Sequence, residues 1–177
     1  MAHGEVYWFA TQNAPAGARA HGGEKAEVLR LFGHWHHPIA SLVEHTAAAA
    51  VLRNDIYDRP PARTWSRGRM TLVGDAAHPM TPNLGQGACQ ALEDAVVLAR
   101  ALEAAPDIPA AWQMYERTRM PRAASVTLAS RRIGTMGQLR NPVAMAARDT
   151  LVGLLGRLQV RQIVSLVSYD ATTASLR

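Results

Sequence analysis

Hydrophobic residues recur three and four positions apart over most of the chain, a spacing that predicts amphipathic helices. The first such segment is 24–47, in which Gly33 and Pro38 are expected to separate two helices. Helical spacing returns at 88–104. The expected core-facing positions of that helix are Leu92, Ala95, Val96, Ala99 and Leu102.

Two further helical segments are predicted towards the C-terminus. The stretch 106–139 predicts a helix whose first turn contains Pro109, a position at which proline is tolerated. The helix is expected to continue past Pro121, a residue type at which helices kink. Residues 141–170 predict one or two more helices.

Two short stretches instead predict strands. Residues 5–12 (EVYWFATQ) are rich in β-branched and aromatic residues. Residues 70–73 (MTLV) form an uninterrupted apolar run, which is typical of a central strand in a parallel sheet. Because residues 5–12 are the only other strand predicted with similar clarity, we expect the rest of that sheet to come from another chain or from a larger protein that includes this sequence.

The composition is typical of one folded domain, with 48% hydrophobic and 19% charged residues among 177. The net charge is +5, but the arginines are scattered and Lys25 is the single lysine, so nucleic acid is not favoured as a partner. Cys89 is the only cysteine, which excludes an internal disulfide. No signal peptide or membrane span is predicted, and we expect a cytoplasmic protein without stable membrane insertion.

The stretch between the predicted strand at 70–73 and the helix at 88–104 carries the candidate chemistry. Asp75 follows the strand, where it is placed either to accept hydrogen bonds from ligand hydroxyls or only to cap a turn. Gly85 and Gly87 open the helix, so its N–H groups and positive end are suited to an anion or a polarised carbonyl. The alternative is an ordinary helix start with glycines for tight packing. The pattern is not a dinucleotide fingerprint, because the third glycine is absent.

Taken together, residues 74–102 (GDAAHPMTPNLGQGACQALEDAVVLARAL) resemble the second FAD-binding motif of the class A flavin-dependent monooxygenases, the aromatic hydroxylase family. The signature is Gly-Asp followed by six residues and a proline, here Pro82. The stretch 6–11 resembles a strand of the family's substrate-domain sheet, and 115–126 and 130–139 resemble its long C-terminal helix. The similarity is greatest to the branch of salicylate hydroxylase, urate hydroxylase and zeaxanthin epoxidase.

The resemblance implies an α/β fold, which becomes α+β if the chain is taken alone. The C-terminal portion of the FAD-binding α/β fold would join the end of the substrate-domain sheet and a long C-terminal helical segment. The expected divisions are 1–60 for the end of the substrate-domain sheet with its helices, 61–105 for the FAD-binding segment, and 106–177 for the C-terminal helices.

The resemblance also implies a role for each matching residue. Asp75 would hydrogen-bond the ribityl chain of FAD, and Pro82 would lie beside the isoalloxazine ring. The pyrimidine edge of the ring would be approached by the backbone of Leu84, Gly85, Gln86, Gly87 and Ala88. Glu93 and Asp94 are expected to serve the helix dipole or solvent. No catalytic base and no metal site is predicted.

The implied activity is hydroxylation or epoxidation of a small aromatic or olefinic substrate, with FAD as cofactor and NAD(P)H and O2 as co-substrates. The family's N-terminal Gly-x-Gly-x-x-Gly turn and its mid-chain Asp-Gly motif are not found. We therefore expect a missing N-terminal half, in the same or a second chain, to complete the enzyme. The alternatives are a truncated, catalytically inert fragment or interaction module, and an FAD-dependent oxidoreductase without oxygen insertion.

Four other side chains carry competing interpretations. His34 and His37 are spaced for zinc but lack accompanying cysteines or carboxylates, so an exposed helix face is favoured over a metal site. His78 is interpreted as a structural hydrogen-bonding residue rather than as a border of the active site. Cys89 is interpreted as a small buried residue rather than as a reactive thiol.

Overall fold

The computed structural model describes residues 4–176, except for the side chains at positions 157, 159 and 162. The described chain is mostly helical with one small sheet, so the predicted α/β class holds only in part. It forms two compact units, residues 1–55 and 56–177. Nowhere in the described residues is a helix both long enough and apolar enough to cross a membrane.

The first unit contains two short helices, α1 (Glu24–Phe32) and α2 (Ile39–Glu44). The residue that follows α1 is Gly33, where an added Cβ would lie 2.5 Å from the carbonyl oxygen of Leu29, so this close approach requires glycine. Pro38 immediately precedes α2. The predicted division into two helices is therefore confirmed.

Residues 5–12 do not form the predicted strand. They run without regular secondary structure, and the side chains of Tyr7 and Phe9 are exposed. Trp8 is held instead by a hydrogen bond from its indole N–H to Thr46 Oγ1, 3.0 Å away. A strand needs a neighbour for its backbone N–H and C=O groups, and the described part of this unit offers no neighbouring strand.

The second unit begins with a hairpin of two short antiparallel strands, β1 (Ser66–Arg67) and β2 (Met70–Thr71). The predicted central parallel strand at 70–73 is not formed in the described residues, because β2 ends before Leu72, and both Leu72 and Val73 are exposed. An apolar run becomes a buried parallel strand only when other strands flank it. The described residues provide one short antiparallel partner for it.

Three long helices follow, α3 (Gly87–Ala104), α4 (Ile108–Gly137) and α5 (Pro142–Val167). Asp107 and Asn141 cap α4 and α5, because each side chain accepts hydrogen bonds from backbone N–H groups of the first turn. Both predicted C-terminal helical segments are thus confirmed, each as a single helix.

α4 continues for 30 residues although Pro121 lies within it. Proline lacks an amide hydrogen, so one helical hydrogen bond is lost there. Contacts hold the helix on both sides of this point. Before it, Glu116 Oε1 accepts from the Trp65 amide at 2.7 Å, and after it, Ser130 Oγ donates to the Thr81 carbonyl oxygen at 2.6 Å. α4 therefore anchors both the hairpin and a later loop.

The inward face of α3 differs from the predicted one. Its buried residues are Gln90, Asp94, Val97 and Ala101. Leu92 was expected in the core but is 68% exposed, and Leu102 is exposed as well. Polar residues lie on the inward face because Arg119 of α4 meets them there with hydrogen bonds to both Gln90 and Asp94. Leu92 and Leu102 consequently lie on the exposed side of the helix.

The core of the second unit lies between α3, α4 and the hairpin. Its buried hydrophobic members are Trp65, Ala77, Val97, Ala101, Tyr115, Ala123 and Ala171. The rings of Trp65 and Tyr115 pack with their centroids 5.5 Å apart. The Tyr115 hydroxyl donates to the carbonyl oxygen of Leu72 at 3.1 Å, so the core also fixes the segment that leads into the candidate site.

Candidate functional site

Shortly after β2, the chain makes one turn of 3-10 helix at Gly74–Ala76. Gly74 has φ = +57°, in the left-handed region, and an added Cβ would lie 3.2 Å from the Cβ of Ala91 on α3. Both the backbone angle and the close helix therefore favour glycine. The turn leaves the next residue, Asp75, exposed on the surface.

A second turn of 3-10 helix, Pro82–Leu84, leads into α3 and ends at Gly85, which has φ = +63°. Gln86 is the N-cap residue of α3, and in the described structure its side chain makes no capping hydrogen bond. The N–H groups in the first turn of a helix have no partner within the helix itself. These groups are therefore available to an acceptor from outside.

Asp75 and the start of α3 lie side by side. The Oδ1 atom of Asp75 is 4.0 Å from the position that a Cβ on Gly87 would occupy. A carboxylate is stabilised beside the positive end of a helix. The structure thus brings together the two features that the family resemblance assigned to one flavin, an exposed acid and a helix opened by glycine.

The two features fit the polar parts of FAD. Ribityl hydroxyls require exposed acceptor oxygens, which Asp75 supplies, and the electron-rich pyrimidine edge requires N–H donors, which the first turn of α3 supplies. The loop is accessible, since Leu84, Gly85, Gln86, Gly87 and Ala88 are each exposed or half-exposed. The individual roles assigned to these residues and to Pro82 remain predictions.

Side-chain hydrogen bonds attach the second turn to α4. The Asn83 side-chain amide donates to Thr81 Oγ1 at 2.9 Å and to the Ser130 carbonyl oxygen at 3.0 Å. A Cβ at Gly134 of α4 would overlap this amide, so glycine makes room for it. This anchor was not predicted from the sequence, because its partners lie far apart in the chain.

Asp94 is the largest correction to the predicted site. It was expected to serve the helix dipole or solvent, but it is 0% exposed. Its carboxylate accepts from the Gly74 amide at 2.8 Å, from His78 Nε2 at 2.6 Å and from Arg119 Nε at 2.8 Å. A buried carboxylate is tolerated when its lone pairs are satisfied in this way. Asp94 therefore connects the Gly74 turn to α4.

Arg119 is also fully buried and is the centre of this connection. Its guanidinium donates to Glu93, to the Gln90 carbonyl oxygen at 3.1 Å and to Gln90 Oε1 at 2.9 Å. Glu93 is bound by Arg122 as well, and the Arg122 guanidinium lies 4.6 Å from the centroid of the Tyr169 ring. The expectation of a dipole or solvent role for Glu93 is therefore wrong too.

His78 is 4% exposed and is held between Asp94 and the Trp65 ring, whose centroid lies 5.4 Å from its own. This agrees with its interpretation as a structural hydrogen-bonding residue. Nδ1 has no hydrogen-bond partner in the described structure, whereas Nε2 lies 2.6 Å from the Asp94 carboxylate. We therefore assign a proton to Nε2, which donates to Asp94.

Burial and hydrogen bonding act on the pKa of Asp94 in opposite directions. Burial raises this pKa, but hydrogen bonds from His78, the Gly74 amide and Arg119 lower it by more, so the net shift is downward. Burial together with the nearby Asp94 charge raises the pKa of Tyr115. The Tyr115 hydroxyl thus stays protonated and remains a donor to Leu72.

We expect the free energy of unfolding to fall in acid, partly through Asp94. Because its folded pKa lies below the unfolded value of 3.8, its contribution is present above pH 3.8 and is lost as the pH falls through the folded pKa. Urea unfolding measured between neutral pH and pH 3 checks this. The pH profile should be flatter in Asp94→Asn than in the unsubstituted chain, and parallel profiles would contradict the prediction.

The structure also settles the positions of the other sequence candidates. His34 and His37 lie in the turn between α1 and α2, so the expected helix face is wrong. Among the described residues, no group of three or more His, Cys, Asp or Glu could hold a metal ion. Cys89 is exposed, not buried as expected, because α3 directs Gln90 and Asp94 towards α4 instead.

Comparison with known proteins identifies the family. The family described as FAD binding domain matches residues 3–130, more than half of the chain, and the chain belongs to it. The chain is 48% identical over 155 residues to aurachin C monooxygenase/isomerase of Stigmatella aurantiaca, covering 88% of this chain and 40% of that protein. It is 50% identical over 103 residues to the chloroplastic zeaxanthin epoxidase of Solanum lycopersicum, covering 58% of this chain and 15% of that protein.

A solved structure supports the same assignment. HpxO of Klebsiella pneumoniae, complexed with FAD and uric acid, matches with a TM-score of 0.76 and 31% identity, covering 87% of this chain and 40% of that chain. The family and these relatives assign the chain to the class A flavin monooxygenases, whose cofactor is FAD. The chain spans about 40% of the aurachin C monooxygenase/isomerase and of HpxO.

Proposed function

We propose that this chain provides the flavin-holding part of an FAD-dependent monooxygenase that hydroxylates or epoxidises a small aromatic or olefinic substrate. The observation that carries the proposal is the convergence of Asp75 with the start of α3, where Oδ1 lies 4.0 Å from the Cβ position of Gly87. Membership of the FAD-binding family supports the same reading.

The residues of the site would bind and orient the flavin. Asp75 would accept hydrogen bonds from the ribityl hydroxyls, and Pro82 would flank the ring. The first-turn N–H groups of α3, together with the loop 84–88, would stabilise negative charge at the pyrimidine edge. FAD, when bound, supplies the activation of O2 with electrons from NAD(P)H.

The proposal includes the divisions 1–60, 61–105 and 106–177, as well as a further contributor to the substrate pocket, either an N-terminal half or a second chain. It also includes a cytoplasmic location. The substrate is proposed only as a class, because the names of the relatives point to different molecules, namely aurachin C, zeaxanthin and uric acid. Residues 6–10 would contribute to its pocket.

A visible spectrum after addition of FAD tests the proposal directly. The experiment is run on the 177-residue chain and, in parallel, on the full reading frame that encodes it. We expect bound flavin, and NAD(P)H oxidation stimulated by an aromatic or olefinic substrate, in the longer form if not in both. Bound flavin without oxygen incorporation from ¹⁸O2 would favour the oxidoreductase alternative. Absence of bound flavin from both forms would favour the inert fragment.

Asp75→Ala is expected to weaken FAD binding. The lost charge-assisted hydrogen bonds are worth about 1.5 to 3 kcal/mol, which corresponds to roughly a ten- to hundredfold larger dissociation constant. Flavin fluorescence titration measures the change. Asp149→Ala, at an exposed aspartate on α5, is the control and should leave the affinity unchanged. Equal affinity in Asp75→Ala and the unsubstituted chain would remove Asp75 from the site.

A further inference from the structure

Residues 74–78 form a closed turn whose two ends are joined by a single carboxylate oxygen. Oδ2 of Asp94 accepts both from the Gly74 amide at 2.8 Å and from His78 Nε2 at 2.6 Å. Within the turn, the Gly74 carbonyl oxygen accepts from the amides of the last two residues, both at 2.9 Å. The exposed Asp75 lies inside this turn, while the two side chains that close it are buried.

We infer that Asp94 and His78 are positioning residues for flavin binding, because they hold the turn in the conformation that presents Asp75 to the ribityl chain. The inference rests on the proposed function and extends it from the exposed Asp75 to the buried pair of Asp94 and His78. Neither residue is assigned a contact with the flavin. Both act through the backbone at Gly74.

The glycine makes such a restraint necessary. Gly74 has φ = +57°, and glycine populates positive and negative φ about equally when nothing holds it. The direction of the Asp75 side chain depends on this angle, since the two residues are consecutive. The hydrogen bond from the Gly74 amide to Asp94 selects one backbone conformation among those open to glycine.

The Asp94 carboxylate is itself held in place by Arg119. Oδ1 of Asp94 accepts from Arg119 Nε at 2.8 Å, and the same guanidinium donates to the Gln90 carbonyl oxygen at 3.1 Å. Arg119 lies on α4 and is fully buried, so the Asp94 carboxylate cannot turn away without breaking a buried ion pair. Through Asp94 and Gly74, Arg119 of α4 therefore helps to fix the position of Asp75.

The test compares FAD affinity in paired variants of the chain, in the form that binds FAD. His78→Leu removes the donor to Asp94, whereas His78→Gln keeps a side-chain N–H at a similar reach, and Asp94→Asn removes the charge of the acceptor. We expect the FAD dissociation constant to rise at least about tenfold in His78→Leu and Asp94→Asn and to stay within about threefold in His78→Gln. Amide exchange at Gly74, measured by NMR without FAD, should accelerate in His78→Leu and Asp94→Asn but not in His78→Gln.

Two matched controls separate positioning from general stability. Glu93→Gln alters the acid next to Asp94. The Glu93 carboxylate binds Arg119 and Arg122 of α4, whereas the Asp94 carboxylate binds both α4 and the turn. Val126→Ala removes buried volume from α4 and reproduces a loss of stability without touching these hydrogen bonds. Both controls should retain FAD affinity, and amide exchange at Gly74 should remain as slow as in the unsubstituted chain.

The outcomes distinguish this inference from the proposed function. Unchanged FAD affinity in a folded His78→Leu would overturn the inference while leaving the result for Asp75 intact. Equal weakening in His78→Leu and Val126→Ala would overturn it as well, since the pair would then act only through stability. Absence of FAD binding in the unsubstituted protein overturns the proposed function first, and the inference with it. If Asp94→Asn does not fold, the two His78 variants decide, because they leave the pair of Asp94 and Arg119 in place.

Discussion

Replacement of Arg119 by methionine is expected to lower the free energy of unfolding by about 3 to 5 kcal/mol, the range found when one partner of a buried ion pair is removed. Arg119 is 0% exposed and donates to Asp94, Glu93 and Gln90. Methionine fills similar space but leaves the Asp94 charge buried with fewer donors. Urea unfolding followed by circular dichroism at neutral pH measures the loss.

Arg117→Met is the control for this substitution, because Arg117 lies exposed on the same helix. It should change the free energy of unfolding by no more than about 0.5 kcal/mol. A second substitution, Asp94→Asn, should recover part of the loss caused by Arg119→Met, since it removes the stranded charge. If Arg119→Met behaves like Arg117→Met, the buried ion pair is not a major source of stability.

Tyr115→Ala is expected to cost a similar amount, about 3 to 5 kcal/mol, as for other large-to-small changes of buried aromatic residues. Tyr115 is 0% exposed and packs its ring against Trp65. Tyr115→Phe keeps the ring and removes only the hydrogen bond to the Leu72 carbonyl oxygen, so it should cost about 1 kcal/mol. Chemical unfolding of the two variants separates packing from hydrogen bonding.

The control for Tyr115 is Tyr7→Ala, which removes an exposed tyrosine of the first unit and should change stability little. Similar losses in Tyr115→Ala and Tyr115→Phe would contradict the prediction, since the hydroxyl would then account for the whole effect. Similar losses in Tyr115→Ala and Tyr7→Ala would show that the ring of Tyr115 is not part of the stabilising core.

Local signals explain what could be predicted from the sequence. Helix periodicity, the break at Gly33 and the position of Pro109 act within one or two turns of chain, and the helices begin and end close to these signals. The convergence of Asp75 with the start of α3 was implied by the resemblance to the family's second FAD-binding motif, whereas spacing alone left the alternatives open. The two predicted strands did not form for a physical reason, because a strand needs a partner. Among the described residues, the run 70–73 has one short antiparallel partner.

The buried polar contacts between α3 and α4 could not be predicted from α3 alone. Leu92 and Leu102 have the spacing of a core face, whereas Asp94 carries a charge that is costly to bury without a partner. That partner, Arg119, lies 25 residues further along the chain, on a different helix. A signal was present in the adjacent acids of α3 and the arginines of α4, but spacing within one helix does not reveal pairing between two.

The dependence of the motif on α4 limits how far it can be transplanted. A segment comprising residues 74–104 would carry Asp75 and the glycine loop into a new scaffold. It would arrive with Asp94 deprived of Arg119 and with Asn83 deprived of the Ser130 carbonyl. A design that uses residues 74–104 must therefore include α4 as well. The connection at 105–107, by contrast, offers a natural place for inserting sequence.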